Sequence, residues 1–235
     1  MSDDEASGAP DVAARLELVR GRLAAAEASA GRPPGSVRLV AVSKRHPPEA
    51  MRAAYAAGQR DFGENYVQEL LAKREALADL PGLRLHLIGN LQSNKAKLVA
   101  GRVALVHAVD DEHLARELGR RAASAGARQA VLVQVNVAGE AQKHGCAPSE
   151  LEAVLAAVEA EPSLWLRGLM VIPPLSDDPE AARPFFAGLR SLRNLHGGAA
   201  RLPELSMGMS HDLEAAVAEG ATMVRVGTAI FGERA

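Results

Sequence analysis

Apolar residues recur along this chain at two alternating spacings. Over residues 11–30, Val12, Leu16, Val19 and Leu23 fall at helical intervals, and Gly31-Arg-Pro-Pro-Gly35 then breaks the pattern. A compact apolar run follows at 37–42, then a Pro-Pro pair at 47–48 and an alanine-rich stretch to Ala57 that suits a helix. The same succession repeats, predicting further strands at 60–63, 83–88, 104–108, 130–137, 166–171, 204–207 and 223–226, eight in all. Helices are predicted between them at 65–78, 93–99, 111–125, 148–159, 178–195 and 211–219, with a short final turn at 229–232. Val131-Leu-Val-Gln-Val-Asn-Val137 is β-branched and apolar rather than cleanly alternating, as strands covered on both faces tend to be. Buried strands alternating with helices make a parallel sheet.

Eight such units suit a closed (β/α)8 barrel, whose usual size is about 250 residues. An open, doubly wound sheet calls for a Gly-x-Gly-x-x-Gly turn after an early strand, with an acidic residue about 20 positions on. The sequence has none, and no linker or low-complexity tract divides it. The expected fold is therefore α/β, a single TIM-type barrel over residues 11–235 with an extra N-terminal helix, behind a flexible acidic tail at 1–10.

Hydrophobic residues make up 48% of the 235, enough for a core of that size. A formal charge of −2, with acidic and basic residues in near balance, offers no field for nucleic acid or anionic lipid. Aromatic residues are only 3%, so stacking platforms for single strands are scarce. The lone Cys146 excludes an internal disulfide framework and a multi-cysteine zinc site, and fits a reducing compartment. The start lacks the apolar core of a signal peptide, and no later stretch has the apolar length of a membrane span. A cytoplasmic protein is the expectation.

In a closed barrel the working residues stand just past the C-terminal ends of the strands. Those exits read Ser43-Lys44, Glu64-Asn65, Gly89-Asn90, Asp110, Asn136, 170–173, Ser206-Met207-Gly208 and Arg225-Val-Gly-Thr228. Lys44 closes an otherwise apolar strand, where desolvation favours the neutral amine that attacks a carbonyl. By position alone, a lysine that snorkels to solvent is the plainer reading. Leu205-Ser-Met-Gly-Met-Ser210 leads into a helix that Ser210 is expected to cap, with Asp212 and Glu214 in its first turn. The N–H groups of such a start suit a phosphate, and barrels commonly place one in the loops after strands seven and eight. Gly227-Thr228 adds a close backbone approach and a hydroxyl, although Gly-Thr alone is more often a mere turn. Arg225, within a strand, needs a partner at the barrel mouth: an ion pair with Glu64 or Asp110, or a ring nitrogen that it would keep unprotonated. His86, His107, His144, His196 and His211 show no metal-ligand spacing and read as core or surface residues, and Cys146 reads as an incidental thiol.

Six ordered motifs together resemble one family. Leu39-Val-Ala-Val-Ser-Lys44, Phe62-Gly-Glu-Asn-Tyr-Val-Gln-Glu69, His86-Leu-Ile-Gly-Asn-Leu-Gln-Ser-Asn-Lys95, Arg167-Gly-Leu-Met170, Leu205-Ser-Met-Gly-Met-Ser210 and Met223-Val-Arg-Val-Gly-Thr-Ala-Ile-Phe-Gly232 are similar to the pyridoxal phosphate homeostasis (YggS or PROSC) family. The resemblance runs from about Arg15 to Gly232. It implies a barrel like the N-terminal domain of alanine racemase, with pyridoxal 5′-phosphate held as a Schiff base on Lys44. It further implies phosphate contacts from Ser210, Gly227 and Thr228, a ring-nitrogen contact from Arg225, and softer contacts from Asn65 and the Met207-Gly208 backbone. The implied role is balance of free pyridoxal phosphate, as a reversible carrier or reservoir acting indirectly on amino-acid and keto-acid metabolism, without committed catalysis.

Two departures qualify that implication. Racemases of this fold carry a second, β-rich domain and take a tyrosine base from a partner subunit, whereas this chain ends shortly after its eighth strand and its tyrosines, Tyr55 and Tyr66, lie away from the strand exits. Many relatives carry a second lysine two positions after the first, where this chain has His46, so release of cofactor would fall to Arg45, His46 or another lysine such as Lys143. The expected protein is a monomer that meets pyridoxal phosphate-dependent enzymes transiently. The alternatives are a pyridoxal phosphate-dependent racemase or decarboxylase, and a cofactor-free lyase using a lysine Schiff base.

Overall fold

The computed structural model describes residues 12–140 and 142–233; the expected tail at 1–10 lies outside the described residues. A first helix, α1 (Val12–Ser29), precedes β1 (Arg38–Val42), α2 (Pro48–Ala56), β2 (Asp61–Glu64), α3 (Val67–Ala76) and β3 (Arg84–Leu87). Then come α4 (Ala96–Val99), entered through a 3-10 turn, β4 (Leu105–Val109), α5 (Glu112–Ser124), β5 (Gln129–Gln134), α6 (Leu151–Glu159) and β6 (Leu164–Met170). The chain finishes with α7 (Arg183–Leu195), α8 (Gly198–Arg201), β7 (Glu204–Ser206), α9 (Leu213–Ala218), β8 (Met223–Val226) and α10 (Thr228–Phe231). Each strand pairs in parallel with the next, and β8 closes on β1 with Arg38 opposite Met223 and Ala41 opposite Val226. The eight-stranded parallel barrel expected from the pattern is thus the observed fold.

Most boundaries fall within a few residues of the periodic pattern. The strand expected to reach residue 137 stops at Gln134 because the chain there begins an excursion that bonds to itself: Cys146 N–H donates to Gln134 O and Asn136 N–H to Cys146 O. The short helix α8 was not predicted, since the pattern ends at Leu195. On α1, Leu16, Val19 and Leu23 face the barrel as expected, but Glu27 is buried too. Its carboxylate accepts from the N–H groups of Gly35 and Val37 at 2.8 and 2.7 Å, so an apparent surface residue ties the turn into β1.

An apolar layer separates the sheet from the helices, and inside the barrel Val40, Leu105, Leu132, Met170 and Met223 form a second cluster. Beside that cluster runs a polar column of buried residues contributed by β2, β3, β4, β7 and β8: Asp61, His86, His107, Ser206 and Arg225. His86 bonds Asp61 and His107 at 3.0 Å each, and His107 bonds Ser206 at 2.9 Å. Burial holds the imidazoles of both histidines below their ordinary value, against the pull of Asp61 on His86.

This column makes stability depend on pH. In the unfolded chain each ring takes up a proton near pH 6.5, whereas in the folded barrel both stay neutral, so acidification favours unfolding. Glu64, whose buried carboxyl is raised, works in the opposite direction towards the acid end. Urea titrations between pH 7.5 and 5.5 should show unfolding free energy falling on acidification, towards a limit of about 1.4 kcal/mol per pH unit for each ring. A profile that is flat or rises on acidification would contradict neutral buried rings.

Candidate functional site

Of the residues that sequence reasoning singled out as cofactor contacts, Lys44, Asn65, Ser210, Arg225, Gly227 and Thr228 line one cavity at the C-terminal mouth of the barrel, and Met207 and Gly208 do not. The turn after β1 is its centre. Ser43 to His46 form a tight turn closed by His46 N–H donating to Ser43 O at 3.0 Å, and Arg45 within it has a φ of +63°. A left-handed conformation costs a non-glycine residue about 1 kcal/mol. Glu69 offsets it by accepting the Arg45 N–H at 2.5 Å. The turn leaves Lys44 half-buried, facing a cavity of about 350 Å³.

Beneath this turn lies a buried ion cluster. Lys73 Nζ donates to Ser43 O at 2.6 Å and to the carboxylates of Glu64 and Glu69 at 2.7 Å each, so all three ammonium hydrogens have acceptors. Ser43 Oγ donates to the same Glu64 oxygen at 2.6 Å. Burial raises the Glu64 carboxyl above its usual value even though Lys73 and Ser43 pull it down. Sequence reasoning offered Glu64 as a partner for Arg225; its partner is instead Lys73, which reaches up from α3. The one local sign of this cluster was Glu69 and Lys73 at a spacing of four on a helix.

Asn65, directly after β2, lines the same cavity, and its Oδ1 is buried without a hydrogen-bond partner. The loop after β3 passes so close that a Cβ at Gly89 would lie 2.3 Å from Asn65 O, which restricts that position to glycine.

Across the mouth, the loop after β7 departs from expectation. Ser210 does not cap the helix: α9 starts at Leu213 with Asp212 at its N-cap, and the Asp212 carboxylate turns back to accept the Met209 N–H at 2.6 Å. Ser210 is thereby released from capping; its Oγ accepts from Ala229 N–H at 3.4 Å, and its carbonyl is held by Arg22 of α1 at 3.1 Å. Arg22 also grips Glu214 through two hydrogen bonds, so the extra N-terminal helix braces this loop. Gly227 and Thr228 open α10, ahead of its first internal bonds from Ile230 and Phe231 to Gly227 O. First-turn N–H groups have no intrahelical acceptor. A Cβ at Gly227 would stand 3.1 Å from Val42 O, tight against β1.

Arg225 lies wholly within the protein yet lines the cavity. Its guanidinium bonds two neutral oxygens, Ser206 Oγ at 2.7 Å and Val171 O at 2.9 Å, in place of the expected ion pair with Glu64 or Asp110. Burial pushes it down to about 10, with Asp212 opposing through space, so it remains charged at neutral pH. Asp110, partly buried after β4, has its carboxyl raised by burial and by neighbouring Asp111. The Met207 side chain belongs to the core, with its N–H bonded to Met223 O, and Gly208 O accepts the Arg225 N–H. His46, Ile88, Ile172, Leu175, Met209 and His211 are among the other residues on the cavity wall. Cys146 is buried elsewhere, and burial, with Glu150 and Asp110, pushes its thiol up to about 12, in keeping with an inert residue.

Residues 16–235 match the family described as alanine racemase, N-terminal domain. The chain is 49% identical to the pyridoxal phosphate homeostasis protein of Pseudomonas aeruginosa, over 95% of this chain and 96% of that protein. Among solved structures it is similar to PipY of Synechococcus elongatus PCC7942 with PLP bound, at a TM-score of 0.81 and 44% identity, over 94% of this chain and 100% of PipY. It also superposes on the alanine racemase of Streptomyces coelicolor A3(2) at a TM-score of 0.71 and 23% identity, over 94% of this chain and 58% of the racemase, a likeness of fold.

The ion cluster under Lys44 supports a specific expectation. Lys73→Met strands a buried Glu64 carboxylate and should cost about 3 kcal/mol in urea unfolding at pH 7. Adding Glu64→Gln should recover most of that loss, because the uncompensated charge is then gone. Equal destabilisation of the single and double variants would contradict the pairing.

Proposed function

The chain belongs to the pyridoxal phosphate homeostasis protein family, built on the alanine racemase N-terminal domain, and on that premise we propose that it binds pyridoxal 5′-phosphate reversibly on Lys44 as a carrier and reservoir. One observation carries the reading: a single cavity at the barrel mouth gathers Lys44, Asn65, Ser210, Arg225, Gly227 and Thr228 from four strand exits. Its volume of about 350 Å³ falls in the range of small-molecule sites. Two features fit the cofactor: the orphaned Asn65 Oδ1, an acceptor in want of a donor, and the glycine-narrow approach of Gly227 beside the hydroxyls of Thr228 and Ser210.

Bound there, the cofactor supplies an aldehyde and an electron-withdrawing ring. Lys44 Nζ in its neutral form joins the aldehyde carbon with loss of one water, a bond that water reverses. Thr228, Ser210 and the first N–H groups of α10 would hold the phosphate. Arg225 presents N–H groups to the ring nitrogen and keeps it unprotonated, which weakens the ring as an electron sink. The tyrosines do not furnish a second base at the cavity: Tyr55 Oη donates to Pro81 O at 2.7 Å, and Tyr66 Oη meets Arg45 at 3.5 Å. These two features support a reading of binding without committed catalysis. His46 stands on the cavity wall near Lys44, with its ring 5.3 Å from that of Phe231.

The wider reading is a single barrel domain over 11–235, monomeric and cytoplasmic, meeting recipient enzymes transiently. Among the described residues no helix is long and apolar enough to cross a membrane.

Protein loaded with pyridoxal phosphate should show a visible absorption band that Lys44→Ala abolishes, while its thermal midpoint stays within a few degrees of the parent, since that side chain contributes little packing. The loaded protein should restore activity to a cofactor-stripped pyridoxal phosphate enzyme and turn over neither L- nor D-amino acids. A band that survives Lys44→Ala, or amino-acid turnover that depends on Lys44, would overturn the reading.

A further inference from the structure

The polar column inside the barrel has a direction. At one end stands the Arg225 guanidinium, which can only donate, and at the other the Asp61 carboxylate, which, when ionised, can only accept. Burial alone would raise Asp61, but hydrogen bonds from Arg84 and His86 outweigh it and hold the carboxyl well below its usual range. Arg84 grips it from the N-terminal mouth, through Nε at 2.7 Å and Nη2 at 2.5 Å.

Between these ends every proton position is determined. His86 Nε2 lies 3.0 Å from Asp61 Oδ1 and must carry a hydrogen, because a lone pair facing a carboxylate is repelled. In a neutral ring the His86 Nδ1 is then an acceptor, and it lies 3.0 Å from His107 Nε2, which must donate to it. His107 Nδ1 in turn accepts from the Ser206 hydroxyl at 2.9 Å, and Ser206 Oγ accepts from Arg225 Nη1 at 2.7 Å. The order is Arg225 to Ser206 to His107 to His86 to Asp61, with no link left in conflict. The charged groups facing the two rings are Asp61, Arg38, Arg84 and Arg225. Three of the four are cationic, so a proton added to either ring meets net repulsion as well as a donor already in place.

We propose that this one-way chain positions Arg225 at the cofactor, with Ser206, His107, His86 and Asp61 acting as positioning residues through the barrel axis. The inference rests on the reading that pyridoxal phosphate occupies the Lys44 cavity. Its physical logic lies in where the compensating charge sits. A buried guanidinium ordinarily takes a carboxylate partner, but a carboxylate beside the ring would favour a protonated ring nitrogen. Here the guanidinium bonds neutral oxygens, Asp212 acts on it only through space, and the carboxylate that orders its hydrogen bonds is four links away at the opposite mouth. Arg225 is thus held rigidly, with its remaining N–H groups available to the cavity, without an acid next to the cofactor.

The test begins on the unloaded protein, so that it stands apart from the cofactor reading. Long-range proton–nitrogen NMR of the histidine rings should show His86 and His107 both neutral and both protonated at Nε2 from pH 5.5 to 8. Asp61→Asn, whose amide no longer enforces one direction, should give mixed tautomers at His107, two links away. On loading with pyridoxal phosphate, Ser206→Ala should weaken binding about tenfold, the loss of one hydrogen bond to a charged group. It should also make the visible band depend on pH between 6 and 9, where the parent's is constant, and Ser206→Thr should restore the parent behaviour. A charged or Nδ1-protonated ring in the parent would overturn the chain, and so would a Ser206→Ala protein with the parent's affinity and spectrum. A parent protein that forms no visible band would sink the cofactor reading instead, with the ring tautomers still deciding whether the chain exists.

Discussion

The pairing of β8 with β1 is the constraint on which the rest of the molecule depends. Closure places Ala41 opposite Val226, so the two strands leave the barrel side by side, one delivering Lys44 and the other Gly227 and Thr228. A group bonded to Lys44 can therefore reach the α10 amides without crossing the barrel, and the missing Cβ of Gly227 lets the two exits pack together. Strands without a free edge also leave the loops as the only variable surface, which is why barrel chemistry gathers at their C-terminal ends.

Closure has an electrostatic consequence. The interior of an eight-stranded barrel is filled by side chains, and here polar residues run beside the apolar ones. Such groups are costly without partners, and two separate arrangements supply most of them. Lys73 bonds Glu64 Oε1, Glu69 and the Ser43 carbonyl under the Lys44 turn, with Glu64 Oε2 left buried and unpartnered, while the axial chain links Arg225 to Asp61. The first stiffens the backbone that carries Lys44, and the second stiffens the Arg225 guanidinium. Preorganisation of the mouth comes from beneath, through residues that do not line it. The helix α1 adds a third brace from outside, since Arg22 holds both the Ser210 carbonyl and Glu214.

Much of this was legible along the chain, for reasons that also explain the remainder. Strands announce themselves by local composition, and Lys44 and Arg225 stand out because a charge at the end of, or within, an apolar run is costly. The errors concern partners. Ser210 was read as a helix cap because serine before an amphipathic stretch usually is one, but Asp212, two residues on, takes the capping position and turns the chain back to Met209. For Arg225 a carboxylate was one of two partners the sequence suggested, beside a ring nitrogen, whereas Ser206 and Val171 meet it only once the barrel has closed. His107 and Ser206 are 99 residues apart in sequence, and no spacing rule reaches that far. Lys73 carries no local sign of burial beyond its spacing of four from Glu69, although it is buried under the site. Local chemistry reveals which side chains are unusual; only the tertiary fold reveals what satisfies them.

The central claim is that Lys44 is the residue that holds the cofactor. The most direct measurement is borohydride reduction of the protein loaded with pyridoxal phosphate, followed by peptide mapping by mass spectrometry. The account predicts that the reduced phosphopyridoxyl group is recovered on the peptide containing Lys44. Recovery on a different lysine, or no labelled peptide at all, would contradict it.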